Sequence, residues 1–214
     1  MRGLVVLGAV AAALGGCSAR TPHPSAAHVT VEAAPKAAWE GIASADDAAR
    51  IAALPELWSR ARGTVPMRLK PRMRAEGELV DPAAALALPT PPPGSYRCRL
   101  VRFGGRGGFR SFAPDFCYVD GDAKALAFTK QTGSNLPGGW LHPDTPTRLV
   151  FLGAVPRKGE AKAPGYGIVP AQDVAAVVER VGPFRWRMVM LRAGRDGVLD
   201  LYELVPVVPE VAAR

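Results

Sequence analysis

Phe184-Arg185-Trp186-Arg187-Met188-Val189-Met190 is the stretch whose pattern decides the fold. Phe184, Trp186, Met188 and Met190 alternate with Arg185 and Arg187. Successive side chains leave a strand on opposite sides, so a period of two predicts a strand with the apolar set buried and the arginines in water. The same texture recurs over 96–103, 112–119, 124–130, 147–154, 174–181 and 197–205, with further strands expected near Trp140 and Tyr166. Turn residues separate the runs: Pro93-Gly94, Asp120-Gly121-Asp122 and the loop Gln131-Thr132-Gly133-Ser134-Asn135. Short strands at this spacing predict a mainly β domain, an antiparallel meander of about eight or nine strands closing into a small barrel, because closure removes exposed edges. A two-sheet sandwich is the fallback.

Upstream, the period changes. Ser44-Ala45-Asp46-Asp47 is a helix start, with a Ser cap and acids in the first turn. Ile51, Leu54, Trp58 and Ala61 then form one apolar stripe of an amphipathic helix. Pro55 lacks the N–H that would bond the carbonyl of Ile51, so a kink or a restart is expected at Leu54. The stripe is expected to pack on the outside of the sheet. Arg60, Arg62, Arg68, Lys70, Arg72 and Arg74 follow without an intervening acid, then a Pro-rich extended connection over 89–93.

Length and composition bound the rest. The chain has 214 residues, 48% hydrophobic, 21% charged and 7% aromatic. These values exclude a disordered chain, a disulfide-dense miniprotein and a polytopic membrane protein. Met1-Arg2 carries a positive charge, Leu4 to Ala13 is apolar, and Leu14-Gly15-Gly16-Cys17 follows. An apolar run this short does not span a hydrocarbon core about 30 Å thick. It fits a secretory signal, and its ending resembles the lipobox of bacterial lipoproteins. That resemblance implies removal of residues 1–16 and lipidation of Cys17, with two or three acyl chains giving a stable anchor. Ser18, rather than Asp, implies the outer membrane. Residues 17–36 then form the lipidated Cys and a flexible Ala/Pro/Ser/Thr tether of about 25 Å reach. The segment 37–95 holds the helix and the Pro-rich connection, and 96–210 the β domain.

Cysteine usage follows from export. Cys98 and Cys117 remain after Cys17 is lipidated, and an exported chain is expected to pair them, two free buried thiols being the alternative. The loop they close stabilises by about 3 kcal/mol. If Cys98 stands directly opposite Cys117, Phe103 faces Phe112, Gly105 faces Arg110, and Arg106-Gly107-Gly108-Phe109 is the hairpin loop.

From Pro93 on, several pieces resemble one bacterial envelope family known only as domain of unknown function 4893. They are Pro93-Gly94-Ser95-Tyr96-Arg97-Cys98, Phe116-Cys117, Thr132-Gly133-Ser134, Arg148-Leu149-Val150-Phe151-Leu152-Gly153, Tyr166-Gly167, the run from Glu179 to Arg187, and Leu204-Val205-Pro206. The resemblance covers about residues 38–206. It supports export and paired cysteines and implies no activity.

The chemistry-bearing residues are sparse. The histidines are His23, His28 and His142, two of them in the tether, so no zinc site of usual type and no cofactor are expected. His142, Asp144 and Ser134 lie close in sequence but lack a nucleophile elbow. Gly104-Gly105-Arg106-Gly107-Gly108 has neither phosphate-loop spacing nor, in an exported chain, a nucleic-acid partner. Trp186, Phe184, Met188 and Trp140 are candidates for a barrel interior or an apolar pocket.

Charge is the stronger signal. The net charge of +8 falls by one when Arg2 leaves with the signal. The basic run, with Arg97, Arg99, Arg102, Arg106 and Arg110, is a candidate patch for an anionic envelope partner: lipid headgroups, lipopolysaccharide or an acidic protein. The expectation is a non-catalytic, outer-membrane-anchored periplasmic lipoprotein that acts by binding. The Tyr96-x-Cys98 strand also resembles periplasmic lysozyme inhibitors, and a small apolar ligand or lipid carrier is a further alternative.

Overall fold

A computed structural model describes residues 38–122, 125–191 and 198–208. The signal, Cys17 and the tether lie outside the described residues. Eight strands form the domain: β1 Gly94–Phe103, β2 Phe109–Gly121, β3 Leu126–Lys130, β4 Gly138–Thr145, β5 Arg148–Ala154, β6 Asp173–Gly182, β7 Arg185–Leu191 and β8 Leu199–Pro206. Each pairs antiparallel with the next, and β8 returns to β1, so the sheet is a closed barrel. The expected strand near Trp140 is β4, whereas Tyr166 lies in a turn and serves a different end. Its hydroxyl donates to Asp47 at 2.6 Å and accepts from the Ser44 N–H at 2.9 Å.

The interior is filled by side chains. Tyr96, Phe128, Phe151, Trp186, Met188 and Leu204 are all buried in one cluster. Tyr96 meets Trp186, and Phe128 meets Phe151, edge to face. Eight strands leave an interior about wide enough for side chains to fill.

The helix breaks where Pro55 demands it. α1 spans Ala45–Ala52 and α2 spans Leu54–Gly63, with Pro55 in the first turn of α2, where a missing N–H costs nothing. The Ser44 hydroxyl caps α1 by accepting from the Asp47 N–H. Two 3₁₀ turns, Met67–Leu69 and Gly77–Val80, flank the short helix α3 at Lys70–Arg74. The stripe of Ile51, Leu54, Trp58 and Ala61 buries against outward-facing Val177, Val189, Leu191 and Leu201. A second core therefore lies between the helices and the outer wall of the barrel.

That covering overturns the expected wet face of β7. Arg187 is 0% exposed, and Phe184, expected inside, is 72% exposed in the β6–β7 turn. Arg187 Nε donates to Glu179 at 2.7 Å, and the guanidinium also donates to the carbonyls of Glu78, Leu79, Asp81 and Pro82. Its cationic carbon lies 5.0 Å from the centre of the Trp58 ring. The physical reason is backbone accounting. Irregular chain lying on a barrel wall has carbonyls with no ladder partner, and one guanidinium supplies five donors. Arg185 acts beside it, donating to Glu203 at 2.6 Å and to the Glu76 carbonyl at 3.3 Å. Arg180 donates to the Ala87 carbonyl, and its own carbonyl accepts from the Leu86 N–H. The run from Glu179 to Arg187 is thus the latch that holds residues 76–87 on the barrel.

Cys98 and Cys117 are disulfide-bonded. They are not directly opposite, however: Cys98 pairs with Asp115 and Cys117 with Tyr96, so the bond runs diagonally with 5.8 Å between Cα atoms. A register shift between Arg99 and Val101 then brings Phe103 opposite Phe109, not Phe112, and the hairpin loop is Gly104 to Gly108.

Candidate functional site

The basic segment owes its shape to alternating anchors and stops. Val65 and Met73 are buried and pull the chain onto the outer core. The Thr64 hydroxyl bonds back to the Ala61 carbonyl at the end of α2, and Pro71 opens α3. Arg60 and Arg62 lie in the last turn of α2, and Arg72 and Arg74 in the last turn of α3, where cations favour the carbonyl end of a helix. With the apolar residues turned inward, Arg60, Arg68, Arg72 and Arg74 are exposed and Lys70 is half-buried. None of these five forms an ion pair among the described residues. Arg62 is different: it donates to the Val80 carbonyl at 2.6 Å and acts as a strut.

The strand arginines divide. Arg99 grips Glu76 through both terminal nitrogens and also bonds Glu203 and Ser111. Arg102 meets Asp200 through two hydrogen bonds, 2.5 and 2.7 Å. Both are neutralised, and the single patch expected from all the arginines does not form. Burial alone would raise the Glu76 carboxyl, but hydrogen bonds from Arg99 and Ser111 outweigh it and hold the group below its usual 4.5. Arg106 and Arg110 are exposed on the β1–β2 hairpin. This hairpin reaches the basic segment: Gly108 has φ +72°, and a Cβ there would fall 2.6 Å from Pro66 Cδ. Arg97 points outward from a different part of β1, paired with Phe116 and Val205.

The remaining candidates scatter. The Asp144 carboxylate accepts from Trp39 Nε1 at 2.9 Å and pairs with Arg148, so it is engaged away from His142. Burial pushes the His142 imidazole below its usual range. Ser134 is exposed in the β3–β4 loop, and its carbonyl accepts from Lys130. That loop has a different role. The Lys130 ammonium is buried, 2.6 Å from Asp115, and donates to the Thr132 and Ser134 carbonyls. Gly133 lies so close that a Cβ would fall 2.4 Å from the Asp115 carboxylate. Among the described residues, no three His, Cys, Asp or Glu side chains gather as a metal site.

One feature was not foreseen. Trp140, a candidate for the interior, is 52% exposed on the outer face of β4. It stands in a groove of about 540 Å³ between β3, β4 and the loop after β5. The sequence signal was its place one residue from buried Leu141, which fixes its direction by alternation.

No curated protein matches the chain. A solved redesigned beta barrel is similar at 10% identity with a TM-score of 0.37, over 54% of this chain and 91% of that one. The family model "Domain of unknown function (DUF4893)" matches residues 39–204, which takes in the helices, the latch, β1 to β7 and most of β8, and the chain belongs to that family.

Proposed function

We propose that the protein is a non-catalytic, lipid-anchored lipoprotein of the outer membrane that faces the periplasm and binds an anionic envelope partner through its basic helical face. One observation carries this reading. Among the described residues, Arg60, Arg68, Lys70, Arg72 and Arg74 are left without ion pairs on a segment that buried Val65 and Met73 and the Arg62–Val80 hydrogen bond hold in place, while Arg99, Arg102, Arg185 and Arg187 are spent on internal pairs. A fixed cluster of cations attracts phosphate or carboxylate groups without reorganisation. The filled interior supports a ligand on the outside rather than within. Cys17 supplies the anchor in this reading, which confines the face to a membrane-proximal layer. The test places a photo-crosslinking residue at exposed Met67, beside Arg68, in the full chain in intact cells. An adduct with anionic lipid, lipopolysaccharide or an acidic protein is expected, and its loss with Arg68→Glu/Arg72→Glu/Arg74→Glu. Fatty-acid labelling should disappear with Cys17→Ser. Equal crosslinking in the charge-reversed chain rejects the reading.

A second reading is inhibition of a lysozyme-like hydrolase. Exposed Arg106 at the tip of the glycine-rich hairpin favours it, since such a loop suits an acidic cleft. Full lysozyme activity at saturating protein rejects it.

A further inference from the structure

The helices cover only part of the barrel. On the outer faces of β2, β3 and β4, Phe116, Tyr118 and Trp140 are 53%, 40% and 52% exposed. Tyr118 pairs with Thr129, and Ala127 with Trp140, so these side chains share one wall. Trp140 and Ala127 line two hollows, one of about 540 Å³ and one of about 250 Å³ that also includes Asp120. The indole therefore borders a hollow on either side, and the two hollows together make up the groove. The larger hollow is walled by the loop following β5, and that wall is braced: Glu160 accepts from the Arg157 N–H at 2.7 Å and from Gln172 Nε2 at 2.6 Å.

We propose that this groove binds a linear glycan carrying acetamido groups. A pyranose ring has one face of C–H bonds and a rim of hydroxyls. The exposed indole matches the first, and Thr129, Gln131 and Lys162 on the groove wall match the second. Leu136 and Ala163 give the same hollow apolar lining and Gln131 gives it an amide, a combination that suits a methyl group joined to an amide. Two hollows flanking one indole fit a chain of rings better than a single ring. Other occupants fit less well. A closed barrel has no free edge for an added peptide strand. A polyanion would meet Lys162, with Lys130 already paired to Asp115, and the Asp120 and Asp122 carboxylates. A purely apolar ligand would strip water from Lys162, Gln131 and Asp120 without replacing it. This site is separate from the basic face, and neither depends on the other.

The test titrates the full chain with N-acetylglucosamine tetrasaccharide while following tryptophan emission. Trp39, Trp58 and Trp186 are buried, so the solvent-exposed emission comes from Trp140. A saturable blue shift at micromolar to millimolar sugar is expected, with Trp140→Ala weakening binding by calorimetry about tenfold or more and Trp140→Phe retaining part of it. A glucose tetrasaccharide should bind more weakly. No saturable shift at millimolar sugar, unchanged affinity in Trp140→Ala, or equal affinity for the glucose chain overturns the proposal.

Discussion

The barrel wall has two sides with the same backbone and opposite surroundings. On β5 to β8, outward-facing Val150, Leu152, Ala175, Val177, Val189 and Leu201 are buried beneath helices. On β2 to β4, the equivalent outward positions are Phe116, Tyr118, Thr129 and Trp140, which meet solvent or the walls of an open groove. A strand's alternation tells which residues leave the barrel on the same side. It does not tell whether water or another layer waits there. Arg187 and Trp140 both point outward from one sheet, yet one is fully buried under a cover and the other is half exposed.

The largest effects should come from the covered side. Arg187→Ala leaves Glu179 buried without its cation and four carbonyls short of a donor. Breaking a buried pair in this way costs about 3–5 kcal/mol, measurable as a lower urea midpoint. Glu179→Gln keeps the shape and the carbonyl bonds, so it should cost clearly less. Trp58→Ala opens the outer core and removes the ring beneath the Arg187 guanidinium, with an expected loss of about 3–5 kcal/mol. If Arg187→Ala were as mild as a surface change, residues 76–87 would not be held by the latch and the two sides would not differ as described.

This contrast also marks how far the sequence could be read. The restart at Leu54 was legible because Pro55 acts locally through its missing N–H. The strands were legible because period two is local as well. The fate of Arg187 was not, since its carbonyl partners lie more than a hundred residues upstream. A signal for the cover was nonetheless present. Leu149 to Leu152 and Val174 to Val178 are apolar without alternation, which marks strands buried on both faces. The β1–β2 register escaped because one irregularity between Arg99 and Val101 and a diagonal disulfide together displace it. The basic run was legible as composition, but which arginines remain unpaired depended on Glu76, Asp200 and Glu203, all remote in sequence.

Next in size is the disulfide, which joins β1 and β2 inside the barrel. Its sequence separation is 19, and Cys98→Ala/Cys117→Ala should lower stability by about 3 kcal/mol. The helix-covered wall should lose least in that variant, so hydrogen exchange should quicken more in β1 and β2 than in β6 and β7.

Titration sharpens the same division with smaller steps. Hydrogen bonds from Arg99 and Ser111 outweigh burial and hold Glu76 below 4.5, so its contribution to stability is present above 4.5 and fades as pH falls through the lowered value. Glu76→Gln should flatten that part of the acid limb by loosening the covering segment. Tyr96 behaves in the opposite sense: burial raises its phenol to about 12 from 10.0. Its contribution is complete below pH 10 and is lost as pH climbs to about 12, because the unfolded phenol has already released its proton. Tyr96→Phe should remove that alkaline drop.

The smallest effect is the most discriminating. Trp140→Ala removes as large a side chain as Trp58→Ala does, from the barrel wall itself rather than from the helix α2 that covers it. Trp58 is 3% exposed and Trp140 is 52% exposed. The stability change at Trp140 should stay within about 0.5 kcal/mol, the range for surface positions with no buried partner. An unchanged melting temperature would mean the fold draws no stability from the indole, as the contrast between the two sides requires. A loss near that of Trp58→Ala would mean the loop after β5 leans on the indole as the helices lean on Trp58, and the two sides of the wall would then differ in degree alone.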